Sequence, residues 1–153
     1  KNLQLNGLNN NDTTVMFVQD DVEHYMKECS QTFDVVVLDP PKLAPTAASL
    51  QKASRKYRSL NQKAIRLISE AEGGLLLTCT CSAAMTQHLG GTYFLQLIQE
   101  AAVSAGRVVS LLRVDGAASC HATNPMSHPA GNYLTAALFY VHPQQEKATR
   151  LQP

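Results

Sequence analysis

Two residues in this chain stand where chemistry is expected, Asp39 and Cys81, each at the end of a short apolar run. Phe33-Asp34-Val35-Val36-Val37-Leu38 ends in Asp39-Pro40-Pro41-Lys42, and Leu75-Leu76-Leu77-Thr78-Cys79-Thr80 ends in Cys81-Ser82. Such runs read as strands buried on both faces of a parallel sheet. Two prolines cannot donate ladder hydrogen bonds, so the first strand must stop at Leu38. In an open α/β sheet the carboxyl ends of parallel strands share one edge, and ligands bind there. A carboxylate and a thiol on that edge can face one pocket. A thiol becomes a strong nucleophile once it loses its proton. Cys79 points to the same side as Cys81 because side chains alternate along a strand, and Cys81 is the more terminal of the two. Free cysteines are also common core residues, so on residue type alone both readings stay open.

The surrounding elements must bring these two tips together. Residues 1–9 read as the end of a helix, and the Asn-rich residues 9–12 as a turn. Residues 14–19 predict a short strand. Asp20-Asp21 then caps a helix whose apolar stripe is Val22, Tyr25, Met26 and Cys29. The strand at 33–38 leads into a proline-containing loop of a length often used for function. A helix over about 50–69 carries Tyr57, Leu60, Ala64, Leu67 and Ile68 on one face. Gly73-Gly74 precedes the strand at 75–80. Thr92 opens a helix to Ala105, and Gly106 stops it. Strands follow at 108–114 and 132–141, with the loop 115–131 between them and a polar tail from His142. Regular alternation implies a largely parallel, doubly wound α/β sheet. The last two strands lack an intervening helix, so one antiparallel edge strand is expected.

Composition narrows the possibilities. With 153 residues and 44% apolar content the chain suits one domain with a real core. No run approaches the roughly 18–20 apolar residues that span a bilayer. The four cysteines lack C-x-x-C spacing, which argues against zinc and for reduced thiols inside a cell. No metal site is expected. The net charge of +1 is uninformative, but its distribution is not. Seven of the thirteen Lys and Arg residues fall between Lys42 and Arg66, with no Asp or Glu among them. This patch suits a polyanion next to the Asp39 tip, or else a solvated helix face.

These motifs resemble a known family. Asp39-Pro40-Pro41-Lys42, then Arg55-x-Tyr57-x-x-Leu60-Asn61, then Thr78-Cys79-Thr80-Cys81-Ser82 resemble the S-adenosylmethionine-dependent ribosomal RNA large-subunit cytosine-C5 methyltransferases. Asn2, Asn6-Gly7-Leu8, Phe17-Val18-Gln19-Asp20-Asp21-Val22 and Pro129-x-Gly131-x-Tyr133-Leu134 fit the same family. The likeness runs to about Val141. It implies a Rossmann-like methyltransferase sheet, with residues 1–141 as the carboxyl-terminal portion of the catalytic domain and 142–153 as a tail.

The resemblance also implies roles. Cys81 is the nucleophile, and Asp39 hydrogen-bonds the cytosine edge. Asp21 and Val22 hold the adenine end of S-adenosylmethionine, while Asp39, Pro40 and Pro41 line the place where methyl group and base meet. Lys42, Arg55, Tyr57 and Asn61 match positions near the substrate. RNA is the implied partner, with no membrane and no metal. The implied compartment is the cytoplasm in a bacterium, or a plastid or mitochondrion in a eukaryote.

Departures accompany the likeness. The family's first two strands and the glycine-rich donor turn have no counterpart, so the missing amino-terminal half of the domain is a further implied partner, and the chain by itself is expected to be inactive. Cys120 precedes His121 where the family carries an acid, and Ala130 replaces another. Two alternatives remain. One is a methyltransferase acting on guanine or a protein side chain. The other is a non-catalytic RNA-binding subunit.

Overall fold

The computed structural model describes residues 5, 15–118, 120–121 and 131–144. Its four strands are β1 (Val35–Leu38), β2 (Gly74–Thr80), β3 (Val109–Asp115) and β4 (Thr135–Val141), in the sheet order β1-β2-β4-β3. β1 and β2 pair in parallel, and β4 runs antiparallel to both its neighbours. One strand thus runs against the other three, as the missing helix before it requires, and it lies one place in from the edge. The helices are α1 (Val22–Glu28), α2 (Leu50–Arg66), α3 (Ala83–Thr86) and α4 (Tyr93–Ala105).

Side-chain alternation decides which face of the sheet is covered. Leu76, Thr78 and Thr80 of β2 and Ala137, Phe139 and Val141 of β4 are buried. They meet Tyr57, Leu60, Ala64 and Ile65 of α2 and Phe94, Leu97, Ile98 and Ala101 of α4 in one core. The other face carries Leu75, Leu77, Leu138 and Tyr140, all half-buried, and no helix among the described residues lies over it. Val35 and Val37 of β1 are 55% and 63% exposed. Two-sided burial of this strand therefore does not hold here: β1 is the sheet's edge, and only Val36 and Leu38 turn towards the helices. Of the strand expected at 14–19, the described residues 15–19 form none. Residues 15–19 have no regular structure, and Met16 and Phe17 are 71% and 77% exposed. A strand needs a neighbour to take its backbone N–H and C=O groups, and none runs beside this segment among the described residues.

Close packing at the start of β2 explains the glycine pair. Gly73 has φ +75°, and a Cβ on Gly74 would lie 2.4 Å from the Asp34 carbonyl oxygen. That carbonyl accepts the Leu75 N–H at 2.8 Å, which sets the register of β1 on β2. The readings at 1–9 and 9–12 lie outside the described residues except for Leu5, which is helical. Most of the loop at 115–131 and the tail from 145 lie outside them as well. His142 and Gln144 still bond to Val108 and Glu70, so the tail does not begin at 142.

α1 is held against α2 by charge. Glu23 pairs with Lys56 and with Lys63 Nζ, the latter at 2.8 Å. Lys56 first, then Lys63, hold the Glu23 carboxyl below its ordinary value of 4.5. A lowered carboxylate pKa gives stability that is complete above the unfolded value and lost as pH falls through the folded one. Between about pH 5 and about pH 3 the urea midpoint should therefore fall more steeply for the native chain than for Glu23→Gln. Equal slopes would remove this pair from the acid response.

Candidate active site

Leu38 is paired with Thr78, so Asp39 comes alongside Cys79, and Cys81 lies two residues further on. Ideal strand spacings put the Asp39 and Cys81 Cα atoms about 8 Å apart, close enough for both side chains to reach one small ring. Asp39 is exposed and makes no hydrogen bond or ion pair among the described residues. Pro40 is buried and Pro41 exposed, so the turn out of β1 is anchored on one proline.

The two cysteines differ in surroundings. Cys79 is 8% exposed, and burial, then Asp39, then Cys81 push its thiol pKa up. Cys81 is partly exposed, although Thr80 and Ser82 on either side of it are fully buried.

Of the four substrate candidates, Lys42 and Arg55 are exposed and unpaired among the described residues. Tyr57 and Asn61 are not at the surface: both are 0% exposed. Helical spacing explains the split, since positions 57 and 61 share the face turned to the sheet and position 55 points away. The Tyr57 hydroxyl bonds Thr80 Oγ1 at 2.7 Å, and Asn61 Nδ2 donates to the Tyr57 carbonyl at 2.8 Å.

The basic patch divides the same way. Lys56 and Lys63 are taken up by Glu23, Arg58 pairs with Glu100, and Arg66 donates to the Ser104 carbonyl. Lys42, Lys52 and Arg55 are left, in the loop after β1 and in the opening turns of α2, at the same end of the sheet as Asp39.

Asp21 caps α1, with Oδ1 accepting the Glu23 and His24 N–H groups at 2.9 and 3.1 Å. Both bonds go to one oxygen. Beside this cap lies an open groove of 370 Å³ lined by Met16, Val18, Asp20, Val22 and Tyr25. The Asp20 carboxylate in its lining pairs with His24 Nδ1 at 2.9 Å. Among the described residues no group of three His, Cys, Asp or Glu side chains can hold a metal, and no helix is long and apolar enough to cross a membrane.

The arrangement has relatives. Over 137 residues the chain is 39% identical to ribosomal RNA large subunit methyltransferase I of Aeromonas hydrophila, a match covering 88% of this chain and 32% of that protein. The corresponding protein of Escherichia coli O1:K1 is 36% identical over the same length and coverage. Both of these relatives carry the name ribosomal RNA large subunit methyltransferase I. The chain spans about a third of the length of these curated relatives. No protein-family model matches. A candidate SAM-dependent methyltransferase from Streptococcus mutans superposes with a TM-score of 0.60 at 21% identity, over 79% of this chain and 29% of that one. A candidate methyltransferase solved with SAH gives 0.62 at 22%, over 90% and 34%. The sheet is thus that of the Rossmann-like methyltransferase fold.

Proposed function

We propose that this chain is the carboxyl-terminal part, over residues 1–141, of an S-adenosylmethionine-dependent methyltransferase that acts on RNA, at C5 of a cytosine in large-subunit ribosomal RNA. The observation that supports the reading is that Asp39 and a partly exposed Cys81 follow the ends of neighbouring parallel strands. C5 of cytosine is a poor nucleophile. Addition of the Cys81 thiolate to C6 makes it enamine-like. Asp39, hydrogen-bonded to the cytosine edge, steadies the charge that develops on the ring. S-adenosylmethionine, when bound, supplies an electrophilic methyl group. Loss of the C5 proton then expels the thiolate and restores the ring. Asp21 and Val22 hold the adenine end of the donor, and Pro40 and Pro41 wall the place where methyl and base meet. The base must leave its stack to enter, which single-stranded or looped RNA makes easier. In this reading the protein works inside the cell, in the cytoplasm of a bacterium.

Lys42, Lys52 and Arg55 bind the RNA backbone. Reversing each to Glu should lower RNA affinity and flatten its salt dependence by about 0.7 log units per log unit of salt for each phosphate no longer neutralised. Lys56→Ala and Arg58→Ala should leave the slope unchanged, because those cations are already paired. A slope insensitive to Lys42, Lys52 and Arg55 would reject this surface. The uncovered face of the sheet and the free edge of β1 support a donor site completed by chain outside these residues. The 153-residue chain should therefore bind donor only weakly, and a micromolar affinity measured for it would overturn that point.

The deciding experiment uses these residues within a chain as long as the relatives. It is incubated with donor and RNA carrying 5-fluorocytidine. Fluorine cannot leave C5 as a proton does, so a covalent adduct should persist on a denaturing gel. No adduct with both partners bound would point to a guanine or protein acceptor. RNA binding without donor binding would point to a non-catalytic RNA-binding subunit.

A further inference from the structure

Three buried hydroxyls tie the two strand tips together. Tyr57 reaches from α2 to Thr80 Oγ1 at 2.7 Å. Thr80 Oγ1 also accepts the Ser82 N–H at 3.3 Å. Ser82 stands at the N-cap of α3, yet its hydroxyl makes no capping bond. Instead Ser82 Oγ accepts the Ala44 N–H at 3.1 Å, from the loop that begins at Asp39. Tyr57, Thr80, Ser82 and Ala44 are all 0% exposed. Phe94 packs edge-on against the Tyr57 ring, with centroids 5.5 Å apart, so the phenol has little freedom to swing away. Cys81 is the residue between the two ends of this circuit that keeps exposed surface.

Resting on the methyltransferase reading, we propose that Tyr57, Thr80 and Ser82 are positioning residues that fix the Cys81 thiol relative to the Asp39 loop. None of them touches substrate. Tyr57 and Thr80 set the backbone just before and after Cys81, and Ser82 sets the distance to the loop carrying the acid. A buried bond of this kind, once broken, strands its partner without water, so the native arrangement is strongly preferred. Isolated, the 80–82 segment ends a strand and is free to open locally.

The test reads Cys81 directly and needs no methyl transfer. The folded chain is alkylated with iodoacetamide over a range of pH, and peptide mass spectrometry follows Cys29, Cys81 and Cys120 separately. Tyr57→Phe and Thr80→Val remove a hydroxyl at nearly constant volume, and Ser82→Ala removes the tie to Ala44. Each should raise the Cys81 rate about three- to tenfold, the change in opening equilibrium expected when one hydrogen bond is removed. Rates at Cys29 and Cys120 should stay constant. Thr80→Ser keeps the hydroxyl and should restore the native rate. Tyr93→Phe, which removes a comparable bond to Ser54 Oγ at 3.0 Å, should leave Cys81 unchanged. Equal acceleration at all three cysteines, or an unchanged Cys81 in every variant, would overturn the proposal. Where activity is present, these variants should lower kcat with little change in KM for RNA. If methyl transfer is absent altogether, the alkylation result still reports on the tip, so the two readings fail separately.

Discussion

Replacing Arg107 by Ala should destabilise the domain by roughly 3–5 kcal/mol, the range for removing several charge-assisted hydrogen bonds at a buried site. Arg107 is 6% exposed, and among the described residues no carboxylate lies within ion-pair distance of it, although the charge of Glu70 acts on it from further away. Its guanidinium instead gathers main-chain carbonyls: Ile68 at 3.0 Å, Ser69 at 2.8 Å and His142 at 2.9 and 3.2 Å. These belong to the exit of α2 and the exit of β4, which Arg107 clamps together, with Tyr140 Oη adding a bond to the Glu72 carbonyl at 3.2 Å. The helix end that aims Arg107 is itself set by Gly106, at φ +72°, with the Arg107 N–H returning to the Ala102 carbonyl at 3.0 Å. Burial holds its pKa below the ordinary arginine value, but the planar fork stays charged at any pH where the protein folds. Arg107→Lys should recover only part of the loss, because one ammonium cannot reach all three carbonyls with the same geometry. Thermal or urea unfolding of the native chain, Arg107→Ala and Arg107→Lys measures this. A loss below about 1 kcal/mol for the alanine variant would mean that water replaces the guanidinium without cost.

Arg107 also marks the limit of what the residue pattern conveys. It follows a helix-stopping glycine in a stretch that reads as a loop, and nothing in its neighbours announces three carbonyls arriving from distant segments. The Ser82–Ala44 bond is of the same kind, spanning 38 positions. By contrast, the two strand ends were legible because prolines and a terminal cysteine leave local marks. The helix faces were legible too, and they held the correction to Tyr57 and Asn61. Tyr57, Leu60 and Ala64 define the inward stripe, and Asn61 is one turn from Tyr57 on that stripe. A motif match placed these two near substrate, and helical period places them inside. The exposure of Val35 and Val37 could not be read from their apolar character, since burial of a strand's second face depends on what else covers the sheet. The strand at 14–19 failed for the same reason: its residues suit a sheet, and no neighbour is there to pair with them among the described residues.

Cys81→Ala should reduce methyl transfer by at least about 10³-fold and abolish the 5-fluorocytidine adduct, whereas Cys79→Ala should stay within about tenfold of native activity. The two thiols are two residues apart on one side of a strand, so the contrast rests on environment. Cys79 is packed beside Ala136 of β4, and burial together with the charges of Asp39 and Cys81 favours its neutral, unreactive form. Cys81 lies one step beyond the last paired residue of β2, with exposed surface on the edge that also carries Asp39, Lys42 and Arg55. Removing the Cys79 sulfur leaves a small void in the sheet and should cost about 1 kcal/mol of stability without disturbing the chemistry. Removing the Cys81 sulfur should leave the melting temperature nearly unchanged while eliminating the step that makes C5 reactive. Single-turnover methyl transfer and thermal unfolding, measured on the same preparations, separate these effects. If the adduct survived Cys81→Ala and disappeared in Cys79→Ala, the nucleophile would be the buried thiol and the tip would have to open for every turnover. If neither substitution affected methyl transfer, the thiols would be packing residues and the acceptor an atom that needs no covalent activation.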